Sequence, residues 1–235
     1  MKYLLIHALD ETVVPNESAC ASPSLPDWIA EMEQRGIVID GARLHPVEDA
    51  TTVRRRDGET LVLDGPFAET KEQVAGYDLI EAKDLDEAIA VAAAHPTTYR
   101  GSIEIRPVAP GMPTPDVTEP KDDKHRYLMF VCWDQTGDGE IPDEPEPADF
   151  VDPMGPWLEE TGERRLHGWQ LQPPSQATTV RNRDGKVVVT DGPFAETKEQ
   201  IGGYDLLECD DLDDAIGIAK SHGVGLLELR PLWAS

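Results

Sequence analysis

Apolar positions along this chain recur at two spacings that alternate, and each spacing predicts an element. The run Tyr3 to Leu9 is short, apolar and followed at once by Asp10 and Glu11, which predicts a first strand over 2–9. Leu25, Trp28, Ile29 and Met32 fall on one helical face, with Pro26 in the first turn and Gly36 as the stop, predicting a helix over 25–35. Residues 51–56 and 59–63 alternate in the two-residue period of strands and are joined at Asp57-Gly58, the signature of a tight hairpin turn. A further strand is predicted over 76–82. Leu85, Ala88, Ile89 and Ala92 then stack behind the cap Asp84 as a second helix over 85–94, and a last strand covers 102–108.

The same pattern then returns. The decapeptide running from Asp64 to Gln73 recurs letter for letter from Asp191 to Gln200. Thr51-Thr52-Val53-Arg54 and Gly76-Tyr77-Asp78-Leu79 return at the same offset as Thr178-Thr179-Val180-Arg181 and Gly203-Tyr204-Asp205-Leu206. Between these blocks the copies differ: Arg55 answers to Asn182, Glu59 to Lys186 and Leu63 to Thr190. The chain is therefore read as a tandem duplication, with repeats at 1–108 and 124–235 and a proline-rich linker at 109–123. In the second copy Asp152 and Pro153 open the first helix, Trp157 matches Trp28 and Gly162 stops it, while Leu212, Ala215, Ile216 and Ala219 repeat the second stripe. The segments 11–24 and 135–149 read as surface loops.

Each repeat then has the order β-α-β-β-α-β with an extra hairpin arm, the order of a ferredoxin-like α+β domain with both helices on one face of an antiparallel sheet. The other face needs a cover. Two such sheets packed face to face supply it, so the expected architecture is an intramolecular dimeric α/β-barrel, monomeric or weakly dimeric in solution.

Charge and cysteine content narrow the function. With 46 acidic and 21 basic side chains the formal charge is −25, which argues against nucleic acid and anionic membranes as partners. Three cysteines, Cys20, Cys132 and Cys209, lack CxxC spacing, so neither a disulfide framework nor a cysteine metal site is expected, and a reducing cytoplasmic setting is favoured. The chain has no phosphate loop, nucleophile elbow, HExxH or dinucleotide fingerprint. No metal or cofactor is expected.

Candidate chemistry falls on the strands and on the decapeptide. Asp64 and Asp191 precede Gly-Pro, where a carboxylate either accepts bonds from its own turn or points into a cavity as a base, a metal ligand or a substrate anchor. Phe67 and Phe194 read as core plugs. Strand alternation places Thr52, Arg54 and Arg56 on one face, as it does Thr179, Arg181 and Arg183, and sets Glu104 and Arg106 opposite Ile103 and Ile105, with Glu228 and Arg230 repeating this. Joined by Tyr3, Tyr127, Tyr77 and Tyr204 in the assumed register, Arg54, Arg181, Arg106 and Arg230 would line the space between the sheets. They would there either hold a small planar anion or phenol, or close an Arg–Glu network. His7, which repeat two replaces with Val131, is a single-copy acid or base candidate, whereas His95 and His222 sit at helix C-termini, where a dipole role suffices.

The decapeptide, with AlaThrThrValArg before it and GlyTyr-Asp-Leu after it, resembles the YCII-related family in its DGPF branch. The resemblance spans nearly all of both copies. It implies the dimeric α/β-barrel, here made by one chain, and a small-molecule site within it. Some relatives are dehalogenating or lyase-like enzymes of aromatic breakdown and others accompany sigma factors. Three readings follow: binding or conversion of a small molecule, a regulatory accessory role, or a fold without chemistry of its own. Members nearer the YCII type pair an aspartate with a histidine on the first helix. Neither 25–35 nor 153–161 contains one here.

Overall fold

The structure is a computed structural model that describes residues 1–10, 24–56, 58–116, 118–134 and 154–233. The cap expected at Asp152 and Pro153 and most of the two expected loops lie outside the described residues. Repeat one supplies β1 (Lys2–Leu9), α1 (Leu25–Gln34), β2 (Val38–Arg43), β3 (Thr51–Arg56), β4 (Glu59–Asp64), β5 (Gln73–Glu81), α2 (Leu85–Ala94) and β6 (Gly101–Pro107). Repeat two supplies β7 (His125–Asp134), α3 (Gly155–Thr161), β8 (Arg165–Gln170), β9 (Thr178–Arg183), β10 (Lys186–Asp191), β11 (Glu199–Cys209), α4 (Leu212–Ser221) and β12 (Leu226–Pro231).

Local chemistry sets the boundaries. Ser24 caps α1 by accepting the Asp27 N–H at 3.3 Å, and Gly36, at φ +65°, lets the chain leave the helix. Asp84 and Asp211 cap α2 and α4 through the amides of Glu87 and Asp214, at 3.0 and 2.9 Å. Asp184 and Gly185 both take positive φ, 53° and 78°, as a type I′ hairpin requires.

β2 was not anticipated. Val38-Ile39-Asp40-Gly41-Ala42-Arg43 has no clean alternation, because a bulge lies between Val38 and Asp40 and Gly41 packs against its cross-strand neighbour Asp78. With β2 in place, each repeat has its second strand here, and the hairpin 51–64 is the extra arm.

Among the described residues twelve strands form two antiparallel sheets, ordered β10-β9-β6-β1-β5-β2 and β4-β3-β12-β7-β11-β8. The arms are exchanged: β9 of repeat two pairs with β6 of repeat one, and β3 of repeat one pairs with β12 of repeat two. Three buried clusters fill the molecule. One joins both sheets through Leu4, Ile6, Tyr77 and Leu79 with Leu128, Phe130, Tyr204 and Leu206. The other two seat the helices of each repeat on the opposite sheet faces, through Trp28, Val91, Ile103 and Ile105 in one and Trp157, Ile218, Leu227 and Leu229 in the other. Tyr3 and Tyr127 belong to these helix-side clusters and not to the space between the sheets, because Leu4, Ile6, Leu128 and Phe130 take the inward positions of the same strands.

Candidate functional site

The two decapeptides meet. In each, a glycine at φ +95° turns the chain out of the arm, and a threonine from the neighbouring strand donates to that glycine's carbonyl, Thr52 to Gly65 at 2.8 Å and Thr179 to Gly192 at 2.7 Å. The closing glutamine folds back on its own loop, Gln73 to the Thr70 carbonyl and Gln200 to the Ala195 carbonyl, each at 2.9 Å. Further contacts cross between repeats. The Phe67 N–H donates to Glu228 at 2.8 Å and the Phe194 N–H to Glu104 at 3.0 Å, while Arg181 holds Glu72 at 2.8 Å and Arg54 holds Glu199 at 3.2 Å. Between the loops lies a cavity of about 20 Å³, lined by Phe67, Thr70 and Glu104 and by their repeat-two counterparts Phe194, Thr197 and Glu228. It has room for about one water. Both copies keep the decapeptide in the same cross-repeat bonds around one cavity, which is a physical reason for identity in sequences that otherwise differ.

The expected arginines are occupied by protein. Arg106, fully buried, donates to Glu104 at 2.8 Å, to the Ile201 carbonyl at 2.7 Å and to the Gln172 carbonyl at 3.1 Å. Arg230 reaches Glu228 at 3.2 Å and the His45 carbonyl at 2.7 Å. These bonds tie the end of each repeat to the other. Burial lifts the Glu228 carboxyl above its usual range, against the pull of Arg230 and the Phe67 amide. Asp64 and Asp191 are exposed on the outer strands of the arms, and among the described residues their carboxylates make no hydrogen bond. The turn after each is fixed by its glycine, whose amide donates to Ala50 or Ala177 at 2.8 Å. His7 lies on the helix side of its sheet, with Nε2 2.9 Å from Asp78 Oδ2, apart from the arginines.

Tyr77 and Tyr204 do face each other between the sheets, with ring centroids 6.0 Å apart, and they lead to a set of residues that the pattern of the chain does not show. Asp40 on β2 accepts two bonds on one carboxylate oxygen: from the Tyr77 hydroxyl at 2.6 Å and from His167 Nε2, on β8 of repeat two, at 3.0 Å. Burial opposes charge on Asp40, but the bonds from His167 and Tyr77 outweigh it and hold the carboxyl below its ordinary range. Burial, reinforced by Asp40, keeps both tyrosines well above the ordinary phenol range, so both stay protonated donors.

With its N–H committed to Asp40, His167 presents a lone pair on Nδ1. Among the described residues that atom is buried without a hydrogen-bond partner, and so is the Tyr204 hydroxyl; the two rings are 5.9 Å apart, with Trp169 stacked on the imidazole at 5.2 Å. An acceptor and a donor thus stand unfilled on neighbouring rings. Asp40 and Tyr77 also edge an open depression of about 1120 Å³ bounded by His45, Arg126 and Trp233.

Asp40 and His167 occupy equivalent positions, 127 apart like Thr51 and Thr178, so the pair forms between the repeats because one copy has the acid and the other the base. The signal in the sequence is that exchange at one repeat position, readable only once β2 is placed. No first-helix histidine is needed for a His–Asp pair here.

A family model for the YCII-related domain matches residues 1–111 and again 128–226. An uncharacterized protein of Rhizobium meliloti (strain 1021) is 53% identical over 72 residues, 29% of this chain and 56% of that protein. The chain therefore spans little more than half the length of this relative. No helix among the described residues is long and apolar enough to cross a membrane. Two matches in tandem, each over one repeat of the fold, show that the chain belongs to the YCII-related family as a duplicated domain.

Proposed function

We propose that the protein binds a small phenolic molecule between its repeats, in a dimeric α/β-barrel arrangement of the two sheets, and moves a proton on it. The observation that carries this reading is the unfilled pair, His167 Nδ1 and Tyr204 Oη, beside the Asp40 carboxylate. A hydroxyl complements both at once, donating to the imidazole and accepting from the tyrosine. A neutral phenol suits the place better than a carboxylate, because Asp40 is charged and the arginines already hold Glu199, Glu72, Glu104 and Glu228. Asp40 orients His167, and His167 takes the phenolic proton.

The test is a thermal-shift and NMR screen of simple phenols and aromatic acids. A phenol at a hundred times its dissociation constant stabilises the chain by about 2.7 kcal/mol. Tyr204→Phe and His167→Gln are expected to remove that gain. A phenol panel that leaves both the melting point and the His167 ring resonances unmoved rules the reading out.

A second reading, a regulatory protein contact, rests on the arms. Leu61, Val62 and Leu63 on β4 and Val187, Val188 and Val189 on β10 are each at least 40% exposed, on strands at the sheet edges. Val62→Lys and Val188→Lys should then abolish any association seen by sedimentation. Unchanged sedimentation removes this reading.

A further inference from the structure

We propose that repeat one carries a divalent-cation site of the zinc or cobalt type at His7, Asp78 and His95. His7 Nε2 lies 2.9 Å and His95 Nε2 3.8 Å from Asp78 Oδ2, and the three atoms all fall within 4.8 Å of one another. All three are buried, and among the described residues none makes a hydrogen bond of acceptable geometry despite these distances. Ligands at about 2.0–2.2 Å around a tetrahedral ion stand roughly 3.2–3.6 Å from each other; the Asp78 oxygen is within a few tenths of an ångström of that spacing from each imidazole, and the two imidazole nitrogens, within 4.8 Å of one another, draw together to seat an ion. The ligands come from rigid places: His7 from β1, Asp78 from β5, and His95 from the residue closing α2, with the Trp28 ring edge-on at 4.5 Å.

Repeat two shows what the carboxylate requires. There Asp205, His222 and Trp157 occupy the places of Asp78, His95 and Trp28, and the Trp157 and His222 rings lie 4.4 Å apart. Val131 stands where His7 does, and Asp205 is instead bound by the Arg165 guanidinium at 2.6 Å. The position of Arg165 is Val38 in repeat one. A buried carboxylate needs a cationic partner. Repeat two builds in a permanent one, whereas repeat one replaces it with a second imidazole and turns three ligand atoms toward one point. Two imidazoles and one carboxylate suit zinc or cobalt and leave a coordination position for water.

One bond opposes loading and supplies a reporter. His95 Nδ1 accepts the Thr97 N–H at 3.1 Å, so in the metal-free chain the ring proton sits on Nε2. Coordination through Nε2 moves that proton to Nδ1 and breaks the Thr97 bond, loosening the turn Pro96–Tyr99. The site lies on the helix side of the first sheet, apart from the inter-repeat cluster, and does not depend on the phenol reading.

The experiment uses the full chain after chelator treatment, titrated with Co²⁺ by visible absorption and with Zn²⁺ by calorimetry. One ion per chain is expected, with a shift of the Thr97 amide resonance on loading. His7→Val, which installs the residue repeat two already tolerates, and Asp78→Asn are expected to weaken binding at least about tenfold. His45→Gln and His125→Gln, at half-buried and exposed positions, leave it unchanged. Should His7→Val compromise folding, the Thr97 shift in the parent chain decides the matter. Failure to take up one equivalent, uptake indifferent to His7→Val and Asp78→Asn, or a Thr97 amide that does not move on saturation overturns the assignment.

Discussion

Tyr77 and Tyr204 are the same residue of the two repeats, equally buried at 1% exposure, yet replacing each by phenylalanine should have different consequences. The Tyr77 hydroxyl donates to a charged carboxylate at 2.6 Å, and such a bond is worth about 1.5–3 kcal/mol. In Tyr77→Phe, Asp40 retains His167 at 3.0 Å and the Gly41 amide, so the carboxylate is not stranded and the loss should be about 2 kcal/mol. For a chain of this size that corresponds to a fall of roughly 4–8 °C in melting temperature. The Tyr204 hydroxyl has no hydrogen-bond partner among the described residues, so Tyr204→Phe removes a buried unsatisfied group and should change stability by less than about 0.5 kcal/mol. Calorimetry of both variants at pH 7, without ligand, makes the comparison. The Tyr77 variant should also lose its disadvantage in acid. Asp40 is depressed in the folded state, so the stability it contributes is present above the unfolded carboxylate value of about 3.9 and disappears as pH falls through the lower folded value. Tyr77→Phe removes one of the bonds that lowers Asp40, so the gap to the parent should narrow below about pH 4. Equal shifts for the two variants at pH 7, or a gap that widens in acid, would refute the assignment of the bond and of the charge on Asp40.

Three further outcomes follow from the exchanged arms and close strands. Gly101→Ala places a methyl group directly against the Ala8 carbonyl in the neighbouring strand, and should destabilise by about 1–3 kcal/mol in urea melts; a neutral result would mean that β1 and β6 are less tightly apposed than described. Arg54→Met and Arg181→Met each remove one partly buried ion pair, to Glu199 and to Glu72, the latter with the bond to the Phe194 carbonyl, and should cost about 1–3 kcal/mol, measured by the same melts. Repeat one expressed alone lacks β9 and β10 while keeping its own arm, so light scattering should find it dimeric by arm exchange, whereas the whole chain should be monomeric or weakly dimeric.

The sequence by itself determined the duplication, the positions of the helices and the cap Asp84, the hairpin arms and the division of Ile103 and Ile105 from Glu104 and Arg106, because each of these is written in periodicity, capping or turn chemistry within a few residues. It did not reveal β2, whose bulge, glycine and aspartate erase the alternation that marks a strand. That omission hid the candidate site, since Asp40 lies on β2 and His167 on its counterpart β8. Only the tertiary structure decided which partner each charge meets. Arg54 and Glu199 are 145 residues apart and Asp40 and His167 are 127 apart, distances over which no local rule acts. The reciprocal exchange of arms brings the decapeptides to the opposite repeat's glutamates. The contact between β2 of one repeat and β8 of the other places an acid beside a base at equivalent positions, because a duplicated chain, unlike a pair of identical subunits, can place different residues there.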